Sequence, residues 1–414
     1  MNDSMTVQAL RWARLLASPL GAAALASLAA LAGNALLYRT LPDADAGAFA
    51  LLTSLIQTVL VIGGLGQSTL TQRVYSRGDP GNFRWQSDLA SQLVVTLPVI
   101  IVLTTIIVLL YRLPWEQGGF VFTAGLAWTI LVTMSMMLSS HRHYGLASAL
   151  PRLPNGLLLI PAIFITAIPA LRVLPVAAVG LTVATFTALA IGWWGLVRLR
   201  SKGEQRITLQ QRGYGVVFVS SQMASLVPDY LLLAAAAFFA PPEDLAMYAA
   251  LALLFRPTQL LQNVLAQVLV TELARGERPR LRRMLAAFAG ATALLIVGGI
   301  LIAGPAMGIA YGGRYVPSLV LIGGISVASG LDVLETLPRS YLTGRSSRRV
   351  LGWFGVSQAI IAILGMALGL VLVASYGIEG AAIGAALIFV ARTSSSFIGF
   401  AAVRLQERRS SLAQ

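Results

Sequence analysis

Twelve runs of apolar residues, each about twenty residues or longer, constrain this chain more than any other feature. They lie at Leu16–Tyr38, Gly47–Thr71, Leu89–Leu110, Gly119–Leu138, Ala147–Leu171 and Val176–Leu196, then at Gly215–Phe239, Met247–Leu269, Leu285–Ile309, Tyr315–Leu337, Val350–Ala374 and Ala381–Val403. No water reaches backbone N–H and C=O groups inside a hydrocarbon layer about 30 Å thick, so such runs close their own hydrogen bonds as α-helices. With 57% hydrophobic and only 11% charged residues, the chain lacks the polar surface that would wrap these runs as a soluble core. The expected class is an all-α polytopic membrane protein with about 12 transmembrane helices. Two spans are irregular. Pro151, Pro154, Pro161 and Pro169 interrupt the fifth, and the tenth carries Asp332 and Glu335. Arg11 and Arg14 precede Leu15–Leu37 in the manner of a signal peptide, but the run is too long for one and reads as an uncleaved first span.

The net charge of +14 is distributed unevenly. Of the 30 Lys and Arg residues, 24 fall in the termini and alternate loops of one side, four (Arg39, Arg112, Arg172, Arg314) on the other, and Arg256 and Arg392 inside spans. The bias predicts both termini in the cytoplasm. It also explains the basic charge without nucleic acid.

All extracytoplasmic loops are short, which excludes a catalytic domain there. The sole lysine, Lys202, sits in Arg200-Ser201-Lys202-Gly203 and does not fit a phosphate-binding loop. There is no cysteine, and His141 and His143 have no third ligand nearby, so neither metal nor cofactor is expected. Asp43-Ala44-Asp45 has the spacing of a glycosyltransferase acid pair, but in a loop too short for that enzyme class; acids opening a helix explain it better.

The chain also repeats itself. Pro42–Gly78 and Pro241–Gly276 share one plan, an acidic turn, a long apolar helix and a basic end. Aligning Asp45 with Asp244 pairs Gly47 with Ala246 and Phe49 with Tyr248, and makes Gln57 the counterpart of Arg256. Ala177–Gly180 ahead of Val197-Arg198-Leu199 mirrors Ala381–Gly384 ahead of Val403-Arg404-Leu405. The repeats imply two halves, residues 1–204 and 205–414, of six spans each. Matched orientation makes them parallel repeats about an axis along the membrane normal.

Charges at bilayer depth cost about 2.5–3.5 kcal/mol even on insertion scales, so they mark a polar cavity or a partner. Arg256 lies 12 residues from Asp244, and Arg392 13 from Glu379, near the midplane for a rise of about 1.5 Å per residue. Asp229, in the antiparallel span before, should be level with Arg256. Two readings stand: an Asp229–Arg256 ion pair that locks two helices, or a cationic lumen of Arg256, Arg392 and Gln57 for an anionic passenger. Asp229, Asp332 and Glu335 are the candidates for coupling or ion pairing, with Glu335 and Arg339 at i, i+4 spacing. Pro228 and Pro257 stand beside Asp229 and Arg256 as candidate hinges, because proline removes a backbone hydrogen bond.

Asp45-x-Gly47-x-Phe49, Asp229 … Pro241 … Glu243-Asp244-x-x-x-Tyr248, Gly312-Gly313-x-Tyr315 and Tyr376-Gly377-x-x-Gly380-Ala381-Ala382 resemble the polysaccharide flippases of the multidrug/oligosaccharidyl-lipid/polysaccharide (MOP) exporter superfamily. The resemblance runs over nearly the whole chain through loose motifs. It implies two six-helix lobes around a central cavity that opens alternately to either side. Its implied passenger is a polyprenyl-pyrophosphate-linked oligosaccharide, whose pyrophosphate would meet the arginines while its lipid stays in the bilayer. A monomer working with membrane lipids, a polysaccharide polymerase and export machinery is the expected setting, with no catalytic residue. The alternatives are a drug/cation antiporter of the same superfamily and, from another class, a polytopic glycosyltransferase or polysaccharide polymerase.

Overall fold

A computed structural model describes residues 3–199, 203–275 and 281–412; Lys202 and Gly276 lie outside them. The first half is built from α1 (Asp3–Thr40), α2 (Asp43–Thr58), α3 (Gln67–Arg77), α4 (Trp85–Tyr111), α5 (Trp115–Ser140), α6 (Tyr144–Ala149), α7 (Leu153–Leu157), α8 (Leu159–Ala167) and α9 (Leu174–Val197). A short α10 (Leu209–Gly213) leads to α11 (Gly215–Leu226), α12 (Leu232–Ala236), α13 (Pro242–Leu254), α14 (Arg256–Ala274), α15 (Leu281–Tyr311), α16 (Leu319–Arg345) and α17 (Arg348–Leu412).

Ten helical segments among the described residues are long and apolar enough to cross a membrane. The last is two spans: at Gly377 the backbone leaves the helix (φ 58°, ψ −135°), and Gly384 packs directly on Gly369, so the arms run antiparallel. Only glycine takes that φ without strain. The eighth span is broken at Phe255 into α13 and α14, too short singly to be counted. Dividing α17 and adding the broken span gives the twelve expected from hydropathy. The fifth span is fragmented into α6, a 3-10 turn, α7 and α8, as its prolines require. The tenth, α16, is continuous despite its acids.

The spans gather into two lobes. In the first, α1 packs on α6, α7 and α8, while α5 meets α3, α4 and α9; in the second, α16 packs on α14, α15 and α17, and α11 on α17. The repeated helices α2 and α13 pack on each other between the lobes, with α1 and α3 against α14. Gly47 permits that contact, since a Cβ there would run into the backbone and ring of Pro242. Between the lobes, Gln205 exchanges backbone hydrogen bonds with Asn82 and Arg84. Arg212, 2% exposed, donates to Asp88 Oδ1 (3.3 Å) and the Asp88 carbonyl (2.8 Å). The connector is thereby fastened to the first lobe.

Candidate functional site

Between the lobes lies a cavity of about 450 Å³, lined by α1, α2, α3, α5, the broken fifth span, α11, α14, α16 and the second arm of α17. Three of the walls are irregular where they meet it. In the second span a π-helical turn, Val59–Gly63, follows Gln57, and Leu65 and Gly66 then turn left-handed before α3. In the seventh span Pro228 and Asp229 sit inside a second π-helical turn, Val227–Leu231. In the eighth, the helix stops at Leu254 and restarts at Arg256-Pro257, beside the expected hinge. Wide turns and proline breaks free backbone carbonyls and re-aim side chains, and in a membrane they persist only beside a cavity or a protein partner.

The charged residues divide into two groups. Arg392 is 0% exposed, and its guanidinium fork is taken by two acids, Nε to Glu335 Oε2 at 2.5 Å and Nη2 to Asp332 Oδ1 at 2.6 Å. Ser396 donates to the other Glu335 oxygen at 2.8 Å, and the Phe389 ring lies 4.5 Å from Arg392 Cζ. Arg392 lines the cavity, as a lumen role requires, but its guanidinium is paired with these two acids of α16 rather than left open. Glu335, expected beside Arg339, turns to Arg392 instead, while Arg339 donates to Ser225 at 3.0 Å.

Arg256 and Asp229 are the second group. Both line the cavity half-buried, and neither makes a hydrogen bond or ion pair among the described residues. The Asp229–Arg256 ion pair envisaged from their depth is not formed. Arg256 occupies the first position of α14, where the helix dipole disfavours a cation by several tenths of a kcal/mol. It lines the same cavity as Asp229 without closing an ion pair to it. Its planar guanidinium fork is a donor set suited to an anion.

Sequence reasoning missed several lining residues. Arg152, grouped there with the basic inner loop, lies inside the fifth span and faces the cavity. The prolines around it obscured where that span begins. Gln259, Gln262, Asn263 and Gln267 form an amide stripe along α14 at i, i+3, i+4, i+8 spacing. That spacing was available as a signal in an otherwise apolar span. Gln57 also lines the cavity, from the first lobe.

At either end of the cavity the lobes touch. At one end Arg314 pairs with Asp43 and donates to the Tyr38 carbonyl at 2.8 Å, joined by the Tyr315 hydroxyl at 3.0 Å. Asp45, its neighbour in the acid pair, accepts the Leu174 backbone N–H at 3.1 Å. The Asp43/Asp45 acids thus serve packing and closure. At the opposite end Arg73 donates to the Thr343 and Ser346 carbonyls, both at 2.8 Å, capping the C-terminus of α16 from the other lobe. Gln72 donates to Gln267 O at 2.9 Å. Glu272, 1% exposed, accepts from Tyr144 at 2.7 Å and pairs with Arg142 at 3.2 Å and Arg275 at 3.6 Å. His141, next to this cluster, is pushed below the ordinary imidazole pKa by burial. Among the described residues no three potential ligands gather as a metal site.

No protein-family model and no curated protein matches the sequence. Solved structures do match the fold. A lipid II flippase, MurJ, in an inward closed conformation superposes with TM-score 0.62 at 12% identity, over 91% of this chain and 86% of its own. The eukaryotic MATE transporter AtDTX14 gives TM-score 0.67 at 12% identity, over 96% of each chain. The Vibrio cholerae MATE transporter VcmN gives 0.57 at 16%, over 94% and 98%. This multi-pass membrane chain therefore has the fold of these solved transporters.

Proposed function

We propose that the chain is a flippase that carries a polyprenyl-pyrophosphate-linked oligosaccharide from the cytoplasmic to the outer leaflet of a bacterial inner membrane, for surface or exopolysaccharide synthesis. The observation that carries this reading is Arg256, a guanidinium that closes no hydrogen bond or ion pair among the described residues in a polar cavity between the lobes. A pyrophosphate supplies the missing charge and accepts a planar donor fork. Arg152 adds a cation to the cavity wall from the other lobe. Gln57, also from that lobe, contributes a neutral donor.

The passenger moves by alternating access and no covalent step is involved. The lobes are residues 1–204 and 205–414, related about an axis along the membrane normal, with the connector to Arg212 travelling with the first. Both termini are cytoplasmic. The Asp43–Arg314 contact then closes the outer side, and the Arg73 and Glu272 contacts the inner side. Asp332, Glu335 and Arg392 form a rigid charge-compensated unit. Asp229, with no partner, is the coupling group, and Pro228 and Pro257 are the hinges. A polysaccharide polymerase and export machinery take up the product from a monomeric carrier.

A drug/cation antiporter is the second reading, because the unpartnered carboxylate of Asp229 faces the same cavity. Extraction of lipid-linked sugars from cells lacking the protein separates the two. Intermediates accumulating on the cytoplasmic leaflet support the flippase. Unchanged glycolipids together with raised sensitivity to cationic drugs contradict it.

A further inference from the structure

The cavity contains two sorts of amide side chain. Gln72, Gln222 and Gln267 are already engaged, with Thr271 (3.1 Å), Thr69 (3.0 Å) and Ser135 (3.2 Å). Gln57, Asn155, Gln259, Gln262 and Asn263 line the same space and make no side-chain hydrogen bond among the described residues. Gln262 is only 7% exposed, so its unmet amide faces the cavity rather than bulk water. Each primary amide carries two donor hydrogens and two acceptor lone pairs on one plane. Five left open at membrane depth are costly unless a polar occupant or water meets them.

We infer that these amides form a subsite for neutral sugar rings, adjoining the phosphate site at Arg256 and resting on the flippase reading above. Vicinal hydroxyls and acetamido groups both donate and accept, which is the pattern a planar amide matches; a lipophilic cation offers nothing for the donors to reach. The geometry is consistent along α14. Gln259, Gln262 and Asn263 follow Arg256 by three to seven residues, about 5–10 Å along the helix. A sugar attached directly to a phosphate held at Arg256 lies against them. Gln57 from α2 and Asn155 from α7 line the same cavity, so both lobes offer amides to the sugar. The volume of about 450 Å³ is in the usual range for a small-ligand site, roughly 300–1,000 Å³.

The test measures binding to the full chain in lipid nanodiscs with two probes, farnesyl pyrophosphate and its N-acetylglucosamine-bearing counterpart. The variant is Gln259→Met/Gln262→Met/Asn263→Leu, close in volume to the original side chains. Wild type should prefer the glycosylated probe by about tenfold or more, the worth of two or three hydrogen bonds. The variant should lose the preference while keeping its affinity for farnesyl pyrophosphate, which also reports that it is folded. If the triple variant does not fold, Gln262→Met alone is read the same way, and should shed a measurable part of the preference. Equal binding of the two probes to wild type, or a preference that survives the substitutions, overturns the subsite alone. Failure of wild type to bind farnesyl pyrophosphate at all overturns the flippase reading and the subsite with it.

Discussion

Arg256 and Arg392 look alike in sequence and should behave as opposites when removed. Arg392→Ala takes away the guanidinium that bridges Glu335 and Asp332 at 2.5 and 2.6 Å, in a place where Glu335 is 1% exposed. Glu335 then keeps only Ser396 as a partner, and two carboxylates face each other in low dielectric. Stripping one partner from a buried ion pair costs about 3–5 kcal/mol. For a chain of this size that corresponds to a fall in apparent Tm of about 3–6 °C. Adding Asp332→Asn and Glu335→Gln removes the stranded charge and should restore most of the loss. Arg256→Ala leaves no partner behind and should melt within about 1 °C of wild type. The assay is thermal unfolding of the purified chain in detergent, followed by size-exclusion fluorescence. An Arg392→Ala protein as stable as wild type, or an Arg256→Ala protein as unstable as Arg392→Ala, refutes the division of roles.

Three further outcomes follow from the same contacts. Glu272→Gln weakens the ion pairs to Arg142 and Arg275, so a cysteine placed at Gln72 in this cysteine-free chain should react faster with a membrane-impermeant maleimide; an unchanged rate contradicts closure by that cluster. Arg212→Ala strands Asp88, which is 0% exposed, and should lower stability by about 3 kcal/mol, read in the same melting assay. Reporter fusions at Asp43, Glu243 and Glu379 should be extracytoplasmic and those after Gly78 and Gln414 cytoplasmic; opposite sides for residues 43 and 243 would end the repeat argument.

Much of the architecture could be read beforehand because hydropathy acts on whole spans. The fragmented fifth span and the break beside Arg256 were visible for a local reason, since proline cannot donate its backbone hydrogen bond. The π-helical turn at Val59–Gly63 was not, as no proline or charge marks it. Counting residues from a span end gives depth but not rotation. Arg392 and Arg256 therefore received one role, although both line the cavity and only the first is paired with acids of α16. Arg152 was misgrouped because the start of a broken helix is ill-defined, and the amide stripe on α14 carried no charge to draw attention.

The central claim is that the unpaired Arg256 carries a pyrophosphate-linked sugar across the membrane. The most direct measurement reconstitutes the full chain in vesicles containing a fluorescently labelled polyprenyl-pyrophosphate-linked sugar and follows its movement between leaflets with a membrane-impermeant quencher. Wild type should move the lipid well above protein-free vesicles. Arg256→Ala, equally abundant and folded, should be slower by about ten- to a hundredfold, the loss expected for one charge-assisted contact. Arg256→Lys should fall between them, since the charge remains without the fork. Movement by Arg256→Ala at the wild-type rate, or no movement by wild type, would contradict the account.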